Sequence, residues 1–133
     1  MGQAGPKRKL STDLSRFLAV GAIATATHWL VMAVMVSQGR NPTVSTAVGA
    51  AIGLHINYIG QHRFAFRSTV RHGTAFPRYL ASAVLGWIVN LTVFMAAAEL
   101  VGQVAVAQLM ATSAATIINF IVARGMVFNA GPI

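Results

Sequence analysis

"FLAVGAIATATHWLVMAVMV" (residues 17–36) contains no Lys, Arg, Asp or Glu. A helix of about 20 apolar residues crosses a hydrocarbon core roughly 30 Å thick, so this stretch predicts a transmembrane helix. Three more stretches further along the chain share these properties. The predicted spans are about 17–36, 43–60, 79–98 and 104–123.

The overall composition agrees with a membrane protein. Of the 133 residues, 56% are hydrophobic and 9% are charged, whereas soluble domains carry about 25% charged residues. Gly, Ser, Thr and Asn within the spans are typical of helices that pack on one another. We therefore predict an all-α membrane protein with a bundle of four transmembrane helices.

The basic stretch before the first span resembles the head of a secretory signal peptide. The apolar run is too long for that interpretation, and three more spans follow it. The chain has no cysteine, which excludes disulfides, a thiol nucleophile and a cysteine-based metal site.

The positions of the basic residues predict the orientation in the membrane. Only Arg40 falls between spans one and two; the other nine basic residues flank the opposite ends of the spans. Lys and Arg favour cytoplasmic loops, so both termini are predicted to be cytoplasmic. The formal net charge of +8 also suggests nucleic-acid binding as an alternative function. These charges flank spans instead of forming a basic face, so we expect no nucleic-acid partner. The predicted segments are a basic tail over 1–15, a transmembrane domain over 16–128 and a second tail over 129–133.

An internal repeat relates the two halves of the chain. "RFLA" (16–19) is matched by "RYLA" (78–81), and "INYI" (56–59) is matched by "INFI" (118–121) at the same spacing. We call this spacing, which carries Arg16 onto Arg78, the repeat offset; it also places Asn57 on Asn119. Each half contains two spans, an even number, so the sequence predicts two parallel two-helix repeats.

Several polar residues lie inside the spans. His28 and Asn90 are related by the repeat offset and are close to the centres of spans one and three. Span four carries a row of polar residues on one side: Gln108, Thr112, Thr116 and Asn119. Such groups either join helices through hydrogen bonds, as Gly49 and Gly53 would through close packing, or line a polar path. The repetition in both halves favours a path between them.

The charged and titratable residues allow two interpretations each. Glu99 at the outer end of span three is either a proton-coupling carboxylate or a solvated interfacial charge, and its end position favours the second. His55 and His62 share a helical face but lack a third ligand, so we expect no metal. Arg63 and Arg124 follow spans two and four. They either anchor the helix ends at lipid headgroups or bind a lipid phosphate with nearby Asn amides.

The motifs "VGAIATATHW" (20–29), "NYIGQHRFAF" (57–66) and "TIINFIVARGMVF" (116–128) resemble the GtrA-like family of small four-span bacterial membrane proteins. The resemblance covers about residues 14–128. It implies translocation of a polyprenyl-phosphate-linked sugar across the bacterial cytoplasmic (inner) membrane for cell-envelope polysaccharide synthesis. It also implies contact with a membrane glycosyltransferase.

The resemblance assigns the terminal motif of the family to two sets of residues. The first-half set is Asn57, Tyr58, His62, Arg63 and Phe66, and the second-half set is Asn119, Phe120, Arg124 and Phe128; Gly21 and Thr25 match positions in span one. This chain departs from the family at three positions. His28 stands where family members often have an acid, Gly125 replaces a basic residue, and Met126 replaces an aromatic one.

We therefore expect a flippase without catalytic residues, cofactor or metal. Arg63 and Arg124 would bind the phosphate, and the sugar hydroxyls would contact Asn57, Asn119, His28, Asn90 and His62. Four helices from one chain are few to enclose such a path, so a homo-oligomer is expected. The alternative is a membrane adaptor that anchors a glycosyltransferase through the basic loop 67–78 and the N-terminal tail. A small multidrug exporter would need a carboxylate in the first span, which this chain lacks.

Overall fold

The computed structural model describes residues 8–129, and this part of the chain is entirely helices and short connections. Positions 1–7 of the predicted N-terminal tail and 130–133 of the C-terminal tail lie outside it. The chain divides into two compact units, Met1–Arg67 and Ser68–Ile133. Each unit is a helical hairpin.

The first unit contains helix α1, Leu10–Ser37, and helix α2, Pro42–Gly60. Gly39 has a φ of 78° in the connection, a conformation that glycine adopts without steric cost. Asn41 then caps α2, because its Oδ1 accepts from the Thr43 N–H at 2.9 Å, and Pro42 fits the first helical position. A single π-helical turn, Gln61–Ala65, continues α2; we call it the first π-turn.

The second unit contains helix α3, His72–Val101, and helix α4, Val104–Val122. Gly102, with a φ of 69°, terminates α3 in the left-handed conformation usual for a helix end. The second π-turn, Ala123–Val127, continues α4. The repeat offset carries the bounds of α2 and of the first π-turn onto those of α4 and of the second π-turn.

The helices of the first unit pack through small residues. A methyl group added at Gly49 would lie 2.6 Å from the His28 carbonyl oxygen, and one at Gly53 would lie 3.0 Å from the Ala24 carbonyl oxygen. The close packing predicted for these two glycines is confirmed. At the corresponding positions of α4 the buried residues are alanines, Ala111 and Ala115, and Ala107 is buried one turn before them.

Large apolar side chains cover the outer surfaces of the hairpins. Trp29, Leu30, Trp87 and Leu109 are each more than half exposed, as expected of helices whose solvent is lipid. By length and apolar character, three helices in the described part of the chain are candidate membrane spans: α1, α3, and α4 with its π-turn. The predicted second span, 43–60, is present as α2, but this helix is less apolar because it includes Thr, Ser, His55 and Asn57.

Two boundaries differ from the prediction. Helix α1 begins at Leu10, inside the predicted tail, and α3 begins at His72, inside the predicted basic loop 67–78. Asp13, which falls within the predicted N-terminal tail 1–15, is buried on α1 and only 3% exposed. It lies one helical turn before Phe17, on the face that packs within the unit.

Candidate functional site

Each hairpin ends in the same backbone feature, at the end of that hairpin where its own long helix begins. The Phe66 N–H donates to the Gln61 carbonyl at 2.9 Å, and the Phe128 N–H donates to the Ala123 carbonyl at 3.0 Å. Each bond spans five residues instead of the four of an α-helix. Such π-helical turns are rare and occur frequently at functional sites.

An aromatic pair fixes each π-turn to the long helix of its unit. The Phe66 ring lies 6.1 Å from the Phe17 ring, and the Phe128 ring lies 6.4 Å from the Tyr79 ring. Phe66 and Phe128 are both 3% exposed. Their burial anchors the turn, so the side chains between the helix end and the anchor have a fixed position.

An arginine of the long helix also reaches the turn in each unit. The Arg16 guanidinium carbon lies 5.4 Å from the centre of the Phe64 ring, a cation–π distance. Arg78 Nη1 donates to the Met126 carbonyl at 3.2 Å. The sequence analysis treated these two arginines only as charges that flank spans. Their equivalent positions in the repeated "RFLA" and "RYLA" were the signal that each contacts the π-turn of its own hairpin.

Arg63 and Arg124, the predicted phosphate ligands, are exposed on the two π-turns. His62, predicted beside Arg63, is buried at 7% exposure, and its ring lies 5.9 Å from that of Tyr58. The neighbours Arg63 and His62 therefore differ: the guanidinium is open to an incoming anion, whereas the imidazole is part of the packed turn.

The chain was compared with protein-family models. The model described as "GtrA/DPMS, transmembrane domain" matches residues 16–128. The chain belongs to the GtrA/DPMS family. Membership points to a role in handling polyprenyl-linked sugars, and the family is generally one of non-enzymatic membrane proteins. Neither the comparison with curated proteins nor that with solved structures returned a match.

The match begins and ends at residues of the site. Arg16, its first residue, contacts the first π-turn, and Phe128, its last, is the anchor of the second. The GtrA/DPMS domain of this chain therefore includes both π-turns and both arginines that reach them. The multi-pass membrane location follows from the family and from its apolar helices.

Asn57, the predicted polar residue before the first π-turn, is half-buried. Its Oδ1 accepts a hydrogen bond from Gln61 Nε2 at 3.1 Å. Gln61 is 3% exposed, and its Oε1 is buried with no hydrogen-bond partner. The sequence analysis did not select Gln61, because its repeat partner is Ala123 and the offset therefore gave no signal.

Asn119 occupies the corresponding place in the second hairpin, in different surroundings. A methyl group added at Gly86 would lie 2.4 Å from Asn119 Nδ2 and 2.5 Å from its Oδ1, so the amide packs directly on the α3 backbone. The Oδ1 atom is buried with no hydrogen-bond partner. Asn90 is half-buried one helical turn beyond Gly86 on α3.

His28 lies on α1 against Gly49 and Gly53 of α2. Its Nε2 is buried and has no hydrogen-bond partner. Three buried side-chain atoms at predicted or neighbouring positions thus have no hydrogen-bond partner. They are His28 Nε2, Gln61 Oε1 and Asn119 Oδ1. An unsatisfied buried polar atom costs about 1–3 kcal/mol, so each is poised to accept a partner.

The chemistry open to these residues is binding. Exposed guanidinium groups bind oxyanions through two parallel hydrogen bonds, and amides and imidazole bond hydroxyl groups. Within residues 8–129, no group of three His, Asp or Glu side chains is placed to hold a metal ion. Glu99 is exposed at the end of α3, consistent with the interfacial interpretation.

Proposed function

We propose that the chain translocates a polyprenyl-phosphate-linked sugar across the bacterial cytoplasmic membrane for cell-envelope polysaccharide synthesis. The observation that carries this proposal is the exposed arginine on an anchored π-turn at the end of each hairpin, Arg63 in the first unit and Arg124 in the second. Family membership independently points to polyprenyl-linked sugars.

The position of the π-turns suits a lipid phosphate. Helix α1 has 28 residues, whereas about 20 cross the hydrocarbon core, so its first turns, which include Arg16, extend into the headgroup region. The first π-turn contacts these turns through Phe17 and Arg16, and the second contacts the first turns of α3 through Tyr79 and Arg78. A phosphate bound by Arg63 or Arg124 would stay at headgroup level while the polyprenyl chain remains in lipid, and the surrounding arginines would attract the anion.

The polar groups deeper in each hairpin would bind the sugar. His28 and Asn57 lie within the first unit, and Asn90 and Asn119 lie within the second. The buried unpartnered atoms of His28 and Asn119 would gain hydrogen bonds from sugar hydroxyls, so part of the cost of moving the sugar into the membrane is offset.

The proposed membrane arrangement is a parallel repeat with both termini cytoplasmic. It is supported by helix bounds that recur at the repeat offset and by the placement of nine of ten basic residues. We further propose assembly as a homo-oligomer and an association with a membrane glycosyltransferase, which would supply or use the lipid-linked sugar.

Transport of a fluorescent short-chain polyprenyl-phosphate glucose in liposomes tests the function. Arg63→Ala and Arg124→Ala should each slow translocation about tenfold, since a hydrogen bond to a charged group contributes about 1.5–3 kcal/mol. Arg40→Ala removes the same charge from the α1–α2 connection and should transport at the parental rate.

Three outcomes would count against the proposal. Equal rates for parent, Arg63→Ala and Arg124→Ala would remove the phosphate site, and an equal loss in Arg40→Ala would reduce the effect to overall charge. A well-folded parent that moves no lipid but copurifies with a glycosyltransferase would replace transport with the adaptor role.

A further inference from the structure

A row of polar residues runs along α4 and ends at Asn119, whose amide packs on the α3 backbone at Gly86. The row consists of Gln108, Thr112, Thr116 and Asn119, which we call the polar row. The residues of α4 that are buried in the hairpin form a separate row: Ala107, Ala111 and Ala115. Gln108 and Thr112 are exposed, and Thr116 and Asn119 are half-buried. Hairpin packing thus leaves the row open at Gln108 and Thr112 and partly covers it at Thr116 and Asn119.

The polar row crosses much of the membrane. With a rise of about 1.5 Å per residue, a core of about 30 Å centred on the candidate span Val104–Val127 places Gln108 about 11 Å from the midplane. On the same estimate Thr112 lies about 5 Å from the midplane on that side, and Asn119 about 5 Å from it on the π-turn side. Exposed polar groups at these depths are costly in lipid.

The side chains of the polar row do not fully satisfy one another. Gln108 Nε2 donates to Thr112 Oγ1 at 2.9 Å, a bond within the helix that leaves the second Gln108 amide hydrogen and its carbonyl oxygen available. At the other end of the row, Asn119 Oδ1 is buried with no hydrogen-bond partner. The exposed part of the row at Gln108 and Thr112 therefore offers donors and acceptors, and its far end holds a buried acceptor without a partner.

The first hairpin has no such row. The positions that correspond to it by the repeat offset are Thr46, Ala50, Leu54 and Asn57. Thr46 donates to Met32 Sδ at 3.2 Å within its own unit, and the two middle positions are apolar. The two hairpins, similar in backbone, thus differ in the surface that they offer at membrane depth.

We infer that the polar row is a water-accessible track on the second hairpin that takes the sugar hydroxyls of the transported headgroup. The sugar rests on the proposed function, whereas water access does not require it. Hydroxyl groups fit the row because they both donate and accept, as its alternating amides and hydroxyls do. The row contains no cationic side chain to neutralise a phosphate, so phosphate binding stays with the arginines of the π-turns.

Thiol labelling tests water access without a transport assay. The parent has no cysteine, so single variants need no other change: Gln108→Cys, Thr112→Cys and Thr116→Cys on the polar row. The matched controls are Met110→Cys and Ile117→Cys, at similar depth, where the parent side chains are 48% and 58% exposed and point away from the polar row. The probe is 2-sulfonatoethyl methanethiosulfonate in proteoliposomes, an impermeant reagent whose sulfenyl sulfur is attacked by the cysteine thiolate, so that a mixed disulfide forms and methanesulfinate leaves.

We expect the three polar-row thiols to react at least about tenfold faster than the two controls, because a thiol in lipid does not ionise. Equal rates on the two faces would overturn the inference. Spontaneous disulfide-linked dimers of Gln108→Cys or Thr112→Cys that are not labelled would also overturn it, since a second copy would then cover the row.

A transport measurement separates the two proposals. The double variant Gln108→Leu with Thr112→Val should slow translocation of the fluorescent lipid several-fold, and Ser113→Ala, an exposed polar residue off the row, should not. If the polar-row thiols are labelled but the protein moves no lipid, the inference of a water-accessible row stands and the proposed flippase function is rejected. Slow transport in Arg124→Ala with parental transport in the double variant would keep the flippase and reject the sugar track.

Discussion

Two glycines determine how closely α1 approaches α2. Gly49 lies against the backbone of His28, and Gly53 lies against that of Ala24. A contact with backbone atoms cannot be relieved by rotating a side chain, so the helices themselves would have to move apart. The position of His28 in the hairpin depends on the same contact.

Gly49→Ala is therefore expected to destabilise the protein. The added methyl group would lie 2.6 Å from the His28 carbonyl oxygen and 2.8 Å from its Cδ2, and overpacking of this kind costs about 1–3 kcal/mol. Gly21→Ala is the control, because nothing lies within 4 Å of its added methyl group and alanine favours helix by about 1 kcal/mol. Thermal unfolding in detergent, followed by circular dichroism, should show a lower midpoint for Gly49→Ala only; similar midpoints would contradict the packing described.

The individual site residues were predictable to different degrees. The exposed Arg63 and Arg124 could be selected because a basic residue directly after an apolar span lies at the membrane surface. The burial of His62 and Asp13 could not be predicted, because both stand in polar stretches of sequence and only the packing of the π-turn and of α1 covers them. Gln61 was missed because its repeat partner is an alanine.

The π-turn is the element that gives each hairpin its end structure. Its five residues place an aromatic anchor on the long helix, Phe66 on Phe17 and Phe128 on Tyr79. The turn also brings Phe64 to Arg16 and the Met126 carbonyl to Arg78. Two kinds of contact, one apolar and one from an arginine, thus hold each turn.

Two neighbouring phenylalanines in the first hairpin should differ sharply in their effect on stability. Phe66 is 3% exposed and Phe64 is 52% exposed. Phe66→Ala should lower the free energy of unfolding by about 3 kcal/mol, as burying an aromatic ring implies. Phe64→Ala loses an exposed cation–π contact and should cost about 0.5–1 kcal/mol.

The two variants are compared by unfolding with increasing mole fraction of dodecyl sulfate in mixed micelles. A loss in Phe64→Ala equal to that in Phe66→Ala would mean that the anchor role is assigned to the wrong ring. The same comparison in the second hairpin uses Phe128→Ala, expected to behave like Phe66→Ala, and Met126→Ala, whose side chain is 62% exposed.

The helix starts were hard to predict because the sequence lacks the usual signals there. Lys9 and Arg71 precede α1 and α3, and neither makes a side-chain capping bond. A proline disfavours helix at and before its position, yet α3 accommodates Pro77 in its second turn, where only one backbone bond is lost. The π-turns could not be predicted, since the choice between four-residue and five-residue bonds depends on where the anchor ring packs.

The charge distribution of the whole molecule makes a direct prediction about topology. Because nine of ten basic residues lie on one side of the spans, the C-terminus should be cytoplasmic. A green fluorescent protein fused at the C-terminus should fluoresce, and alkaline phosphatase fused there should be inactive. The control is alkaline phosphatase inserted after Arg40, which should be active, and the reverse pattern would contradict the predicted orientation.

The general architecture followed from composition and periodicity, because long uncharged runs in a short chain leave few alternatives to a helical membrane protein. The second span, 43–60, was the weakest part of that prediction. Helix α2 is present, but its threonines, glycines, His55 and Asn57 make it less apolar than the other three. A span was predicted there from length and lack of charge, and neither property measures polarity.

Each π-turn contains one residue more than an α-helical turn would need, and this has a consequence for how the gene can change. Loss of one codon between positions 61 and 65 would rotate everything after it by about 100° around the helix axis. Phe66 would then point away from Phe17, although almost every side chain kept its identity. The alignment of the anchor ring is thus set by a count of residues, and an in-frame deletion would disturb it in a way that no single substitution within the turn reproduces.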